Sequence, residues 1–202
     1  MRAFWFDPYL WVHAAGAAAV PLGLLLCLLG FAVGDPNLPS WIELGTVSAI
    51  GILPIVWMQT QKPFYIYGIL AVALRPERLD PNQRQILSLF QSRKNVTWVT
   101  VAAIVLFFIL KQLYTIAPIA SEVMPFNARW LGLMIAAIGF FASNLFLQVP
   151  LSVLHVMLTS EPEAAATPAI ALEQIEQSFT IVGLRVNQIL PPISLPSPDN
   201  PT

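Results

Sequence analysis

The stretch WLGLMIAAIGFFASNLFLQVPLSVLHVML, residues 130–158, decides the fold. Its 29 residues contain no Asp, Glu, Lys or Arg, and about 20 consecutive apolar residues suffice to carry a helix across the hydrocarbon of a bilayer. The stretch therefore predicts a membrane span, long enough to tilt or to project beyond the headgroups. Four of its polar side chains, Asn144, Gln148, Ser152 and His155, fall at roughly 0°, 40°, 80° and 20° around a helix. They share one narrow stripe, opposite a face of Leu, Ile and Phe. A polar group facing hydrocarbon is costly, so this stripe must face other helices or a cavity. One reading is interhelical hydrogen bonding, worth about 0.6–2 kcal/mol per bond in a membrane. The other is a binding stripe for a pigment head, a quinone or an ion.

Working outward, three further runs reach membrane-helix length. Leu10–Val33 is entered by Asp7-Pro8 and closed by Gly34-Asp35-Pro36, residues that begin and end helices through their backbone chemistry. It is too long for the h-region of a signal peptide and is read as a retained first span. Trp41–Met58 carries Glu43 at its start and Pro54 inside, and Val96–Tyr114 makes the third span. Trp41, Trp98, Tyr114 and Trp130 sit near span ends, where aromatic belts form. The fold class expected is all-α: an integral membrane four-helix bundle, residues 1–158, with short interfacial helices and a soluble C-terminal tail, residues 159–202.

Composition agrees. Of 202 residues 56% are hydrophobic and only 10% charged, with mean hydropathy +0.69, against about 25% charged in soluble domains. Net charge −1 gives no basic excess for nucleic acid, which is not expected as a partner. Cys27 is the single cysteine, so no disulfide or thiolate cluster can form within one chain.

Between the second and third spans, Phe64–Leu74 is eleven apolar residues, too short to span, and is expected to form an interfacial or re-entrant helix. Asp80-Pro81 then reads as an N-cap with proline in the first turn, opening an amphipathic surface helix over 81–92 whose apolar stripe is Ile86, Leu87, Leu89 and Phe90. Eight of the ten basic residues, Arg2, Lys62, Arg75, Arg78, Arg84, Arg93, Lys94 and Arg185, fall on one side of this topology, and only Lys111 and Arg129 on the other. By the positive-inside rule both termini and the central loop face the cytoplasm.

The tail turns to Ser, Glu, Pro and Ala from Thr159, yet Leu172, Ile175, Phe179, Val182, Val186 and Ile189 are spaced 3, 4, 3, 4, 3. That heptad seam predicts an amphipathic docking helix over about 169–190, ended by Pro191-Pro192. Within the first span Gly16, Gly23 and Gly30 recur every seven residues, letting another helix or a flat ring approach its backbone. His13 and His155 are placed near one interface by the same topology. Imidazole ligates haem iron and, by the same chemistry, chlorophyll magnesium, so the pair is a candidate cofactor level together with Asn144 and Gln148. The bland reading of each histidine is a hydrogen-bonded or interfacial side chain. Glu43 and Lys111 lie near the opposite interface and read as anchors that can pair. No nucleotide-binding glycine loop, zinc-helix motif, nucleophile elbow or intramembrane carboxylate cluster is present, so no enzymatic activity is expected.

Phe-Asp-Pro-Tyr-Leu-Trp at 6–11, Gly-Asp-Pro at 34–36, Lys-Pro-Phe-Tyr-Ile at 62–66 and Asn-Leu-Phe-Leu-Gln-Val-Pro at 144–150 resemble the cyanobacterial low-complexity tail membrane proteins, over roughly residues 1–160. The resemblance implies a thylakoid membrane protein with a variable tail and brings no catalytic residues. The function expected is a non-catalytic accessory or assembly factor for photosynthetic complexes, with photosystem-related subunits as partners and chlorophyll or carotenoid as conceivable ligands. The alternatives are a small transport or permeability protein using the Asn144–His155 stripe, and a membrane anchor recruiting a soluble partner through its tail helix.

Overall fold

The computed structural model describes residues 3–69 and 71–190; Arg2 and the proline-rich end at 191–202 lie outside the described residues. Four helical stretches are long and apolar enough to cross a bilayer: Pro8–Ala32, Ser40–Gln61, Lys94–Val123 and Arg129–Leu158. The first begins where the Asp7 carboxylate accepts the Tyr9 N–H at 2.9 Å and Pro8 occupies the first turn. It consists of α1 (Pro8–Ala15), a 3-10 stretch Gly16–Ala19, and α2 (Val20–Ala32). Gly34, at φ 62°, then turns the chain in the left-handed conformation that side chains disfavour. The second span is α3 (Ser40–Gln61), which carries Pro54 in its interior.

The segment expected as an interfacial helix, Phe64–Leu74, forms strands instead. β1 (Gly68–Ile69) pairs antiparallel with β2 (Val72–Leu74), and Phe64 makes a bridge to Thr180. Aromatic and β-branched residues favour extended backbone, and a short apolar run carries no periodicity that separates strand from helix. After a 3-10 turn at Pro76–Arg78 comes α4 (Pro81–Phe90), opened by a capping box in which Asp80 and Gln83 exchange side-chain-to-backbone bonds. The third span is α5 (Arg93–Ile116), continued by a 3-10 stretch Ala117–Val123, and the fourth is α6 (Arg129–Leu158).

The tail corrects the second expectation. Following α7 (Glu161–Ala166), α8 covers only Leu172–Ser178, and the predicted helix through Ile189 stops there. Phe179 is extended at φ −128° and ψ 149°, Gly183 turns at φ 94°, and β3 (Leu184–Val186) joins β2 in parallel, giving the sheet order β1-β2-β3. The run Phe-Thr-Ile-Val after Ser178 prefers strand, and the edge of β2 supplies the backbone partners that a longer helix would have supplied to itself. Ile175 and Phe179 are buried and Leu172 packs beside them, but Val182 is half exposed. The heptad seam thus works as a seam for its first half only.

Two apolar cores result. One lies among the long helices, around Cys27, Phe31, Val47, Leu106, Leu110 and Phe140. The other joins the sheet, α4 and α8 to Tyr9, Leu10, Val153 and Val156 of the first and fourth spans. The tail is therefore part of a cap on one end of the helices.

Candidate functional site

The closest helix pair is the first and fourth spans. A Cβ on Gly23 would lie 2.7 Å from the Gly139 carbonyl, one on Gly30 2.6 Å from the Gly132 carbonyl, and one on Gly16 3.3 Å from the Phe146 ring. Each step of seven up one helix meets a step of seven down the other, an antiparallel register continued by the Trp5 indole N–H on the Met157 carbonyl at 3.2 Å. Gly23 and Gly30 thus face a matching stripe on α6 at backbone-contact distance, and Gly16 faces the Phe146 ring, with no room between for a flat ring ligand. Gly132 and Gly139 are half of this seam, and the same spacing of seven would have revealed them in the sequence.

At the end away from the cap, Arg129 of α6 is only 4% exposed. Its guanidinium donates to both Glu43 carboxylate oxygens on α3, to the Phe31 carbonyl at 2.7 Å and to the Val33 carbonyl at 3.1 Å. The Tyr114 hydroxyl of α5 donates to the same carboxylate at 3.0 Å, its ring lying 5.9 Å from the guanidinium carbon. One ion pair therefore ties all four spans together. Glu43 does not pair with Lys111, which is exposed. A buried carboxylate requires a partner, but which basic residue supplies it depends on how three helices pack.

Three members of the predicted polar stripe, Asn144, Gln148 and Ser152, face inward, while His155 is half-buried. The Asn144 amide donates to the Gly51 carbonyl of α3 at 2.7 Å, and Gln148 donates to the Asn144 side-chain oxygen at 2.8 Å. Ser143 adds a bond to the Val20 carbonyl of α2 at 3.1 Å. Asn144 and Gln148 are fully buried and Ser152 nearly so. The histidines are not brought together. The His13 Nδ1 lies 2.8 Å from the Tyr9 carbonyl, its ring also bonds the Gly68 backbone, and Phe64 stacks against it at 5.6 Å. His155 instead bonds the Ser92 hydroxyl at 3.0 Å, at the N-cap of α5. In the glycine register His13 stands level with Val149, about 9 Å of helix rise from His155.

In the cap, Tyr67 donates to the Asp7 carboxylate at 3.1 Å, and Tyr65 donates to the Leu74 carbonyl at 3.0 Å. Burial pushes the Asp7 carboxyl above the usual carboxylate range, against the opposing pull of the Tyr9 N–H and the Tyr67 hydroxyl. Burial likewise pushes the Tyr67 phenol well up, helped by the neighbouring Asp7 charge. An open surface cleft of about 500 Å³ lies beside the sheet, lined by Arg75, Glu77, Arg78, Arg185 and Asn187. Arg185 pairs there with Glu176 of α8, so the lining is of mixed sign. Among the described residues no three His, Cys, Asp or Glu side chains group as a metal site.

A family model described as low-complexity tail membrane protein-like matches residues 6–191. No curated protein and no solved structure matches the chain. The match extends over most of the chain, which belongs to this family of membrane proteins.

Proposed function

We propose that this member of the low-complexity tail membrane protein-like family is a non-catalytic accessory or assembly factor, a four-span body that stands beside photosynthetic complexes in a thylakoid membrane. The observation that carries the reading is the use made of its intramembrane polar groups. Glu43, Arg129 and Tyr114 close one end of the four spans, and Asn144, Gln148 and Ser143 fasten α6 to α3 and α2. These are connections within a scaffold. The four strings that carry the family resemblance sit at such junctions: Asp7 caps α1, Gly34 turns beside Arg129, Phe64 bridges Thr180, and Asn144 bonds Gly51.

The outer surface supplies places for lateral partners in lipid, with Trp41, Leu53, Phe108 and Ile119 exposed. Trp41 and Trp130 mark one interface and Trp57 and Trp98 the other, about 24 Å apart along α3. With Arg129 paired to Glu43, Lys111 is the one basic side chain without an ion pair on its side among the described residues, which supports the assignment of the cap to the cytoplasm. Pigment ligation through His13 and His155 is the weaker component, because the two rings stand about 9 Å of helix rise apart and share no level. Within the Asn144–His155 stripe invoked for transport, the buried Asn144 and Gln148 are taken up by hydrogen bonds to α3 and to each other, which favours the scaffold reading. The anchor alternative loses its free arm, because Ile175 and Phe179 are packed into the cap.

The test is affinity purification of the full chain from native thylakoid membranes in mild detergent, with protein and pigment analysis. Co-purifying photosystem subunits are expected; a colourless chain recovered alone under conditions that keep the photosystems intact would refute the proposal.

A further inference from the structure

Six side-chain polar atoms are sealed from solvent without a hydrogen-bond partner among the described residues, and five belong to four residues near one end of the spans: both amide atoms of Gln59, the Asn95 Oδ1, the Gln148 Oε1 and the Ser152 hydroxyl. Gln59 is 2% exposed, Ser152 1%, and Asn95 and Gln148 fully buried. Leaving such a group unmet inside a protein is costly, and a group of them calls for a shared explanation.

Three hydrogen bonds fix how the helices carrying these residues are aligned. Between α3 and α6, Asn144 bonds Gly51, and Gly51 also packs against Phe140, so it nests between two residues four apart. The buried stripe of α3 advances by fours through Gly51, Ile55 and Gln59, and that of α6 through Phe140, Asn144, Gln148 and Ser152. Continued two turns beyond Gly51, past Pro54 and Pro150, this register carries Gln59 toward the level of Gln148 and Ser152. Between α5 and α6, Ser92 bonds His155, so Asn95 one turn on is level with Ser152 one turn back. Between α3 and α5, Tyr114 bonds Glu43, and sixteen residues along each helix bring Gln59 level with Trp98, one turn from Asn95. All three alignments bring the four residues to about the same level along the helices, each on a buried face.

Their orientation is fixed as well. Asn95 donates its amide N–H to the Phe90 carbonyl at 3.0 Å, leaving its oxygen free. Gly51 fixes Asn144, Asn144 fixes the Gln148 amide nitrogen, and the Gln148 oxygen is left as the free end of that relay. The layer therefore presents two oriented acceptors, with Gln59 and Ser152 able both to donate and to accept. A bare cation would leave the Gln59 N–H groups unmet, and a carbonyl guest would leave the acceptors unmet. A hydroxyl satisfies both kinds.

We infer that Gln59, Asn95, Gln148 and Ser152 form an internal binding site for an O–H guest, either water or the hydroxyl of a lipid-soluble molecule entering between the helices. The inference stands independently of the assembly role. Gln59 and Ser152 have no hydrogen bond to each other, so a shared guest is the polar route by which their effects couple.

The test is a double-mutant cycle of Gln59→Leu and Ser152→Ala on the full chain purified in detergent, read by thermal unfolding, with organic extracts of each variant analysed by mass spectrometry. Each single variant is expected to lower Tm by about 2–4 °C or more, and the second substitution to add little once the first has removed the guest. A hydroxyl-bearing molecule extracted at one per chain from the wild type, and lost from both variants, identifies the lipid-soluble source; coupled losses with no extracted molecule identify water. A rise in Tm for Gln59→Leu, or strictly additive effects, would overturn the inference. If Gln59→Leu does not fold, Asn95→Ala with Ser152→Ala forms the same cycle under the same criterion.

Discussion

Replacing Glu43 by Gln keeps the shape of the side chain and removes its charge. Arg129, nearly inaccessible and bonded to that carboxylate through two nitrogens, then becomes a buried cation with only neutral acceptors, the Gln amide oxygen and the Phe31, Val33 and Gly34 carbonyls. Breaking a buried pair from one side costs about 3–5 kcal/mol, because the surviving charge has no counter-ion. For a chain of this length that corresponds to a fall in Tm of about 6–20 °C. Arg129→Met strands the carboxylate, left with the bonds from the Tyr114 hydroxyl and the Leu38 backbone, and the same range applies. The double variant carries no buried charge, so it should be more stable than the sum of the single effects predicts, by about 2 kcal/mol or more. The assay is thermal unfolding in detergent with all four chains in one buffer. Additivity within about 0.5 kcal/mol would refute the reasoning, since it would mean that the two groups do not sense each other.

At the glycine seam, Gly139→Ala puts a methyl 2.7 Å from the Cys27 nitrogen and the Gly23 carbonyl, and should cost about 1–3 kcal/mol by thermal unfolding; Gly45→Ala, which meets nothing within 4 Å on α3, should be neutral or mildly stabilising. Because Asp7 is raised in the folded chain, it favours folding most at pH values below its unfolded pKa of about 4, and that contribution is lost as pH rises through the folded value. The decline in Tm over that interval should be shallower for Asp7→Asn, and parallel curves for the two chains would count against the assignment. Topology reporters fused after Val123 and after Ala166 should report opposite sides of the membrane, with the second on the cytoplasmic side; the same side for both would contradict a four-span path.

The long helices were legible because apolar length is a direct measure of bilayer thickness, and α4 because Asp80, Pro81 and Gln83 make a local starting signal. The inward stripe on α6 followed from helical angle alone. Phe64–Leu74 and Phe179–Val186 were not legible, because β1 and β2 pair across a turn that no periodicity marks, and the other pairings join segments more than a hundred residues apart. Heptad spacing and a short strand run overlap in Phe179, Val182 and Val186, and Gly183 at φ 94° decides for the turn. The Glu43–Arg129 pair needs the relative rotation of three helices, which no single-helix pattern contains. The convergence of Gln59 and Asn95 on Gln148 and Ser152 has the same origin.

The seam between the first and last spans also sets an order of events in synthesis. Gly30 is made about a hundred residues before Gly132, an interval of about 5–20 s at ordinary translation rates. Throughout that interval the first span lies in the bilayer with its small-residue face uncovered. The fourth span then acts as a clasp, closing on the earliest part of the chain once the rest is in place. Any factor that must be enclosed among these helices has to arrive before the clasp shuts, and a chain stalled before residue 129 would leave the glycine face of its first helix open to the wrong partners.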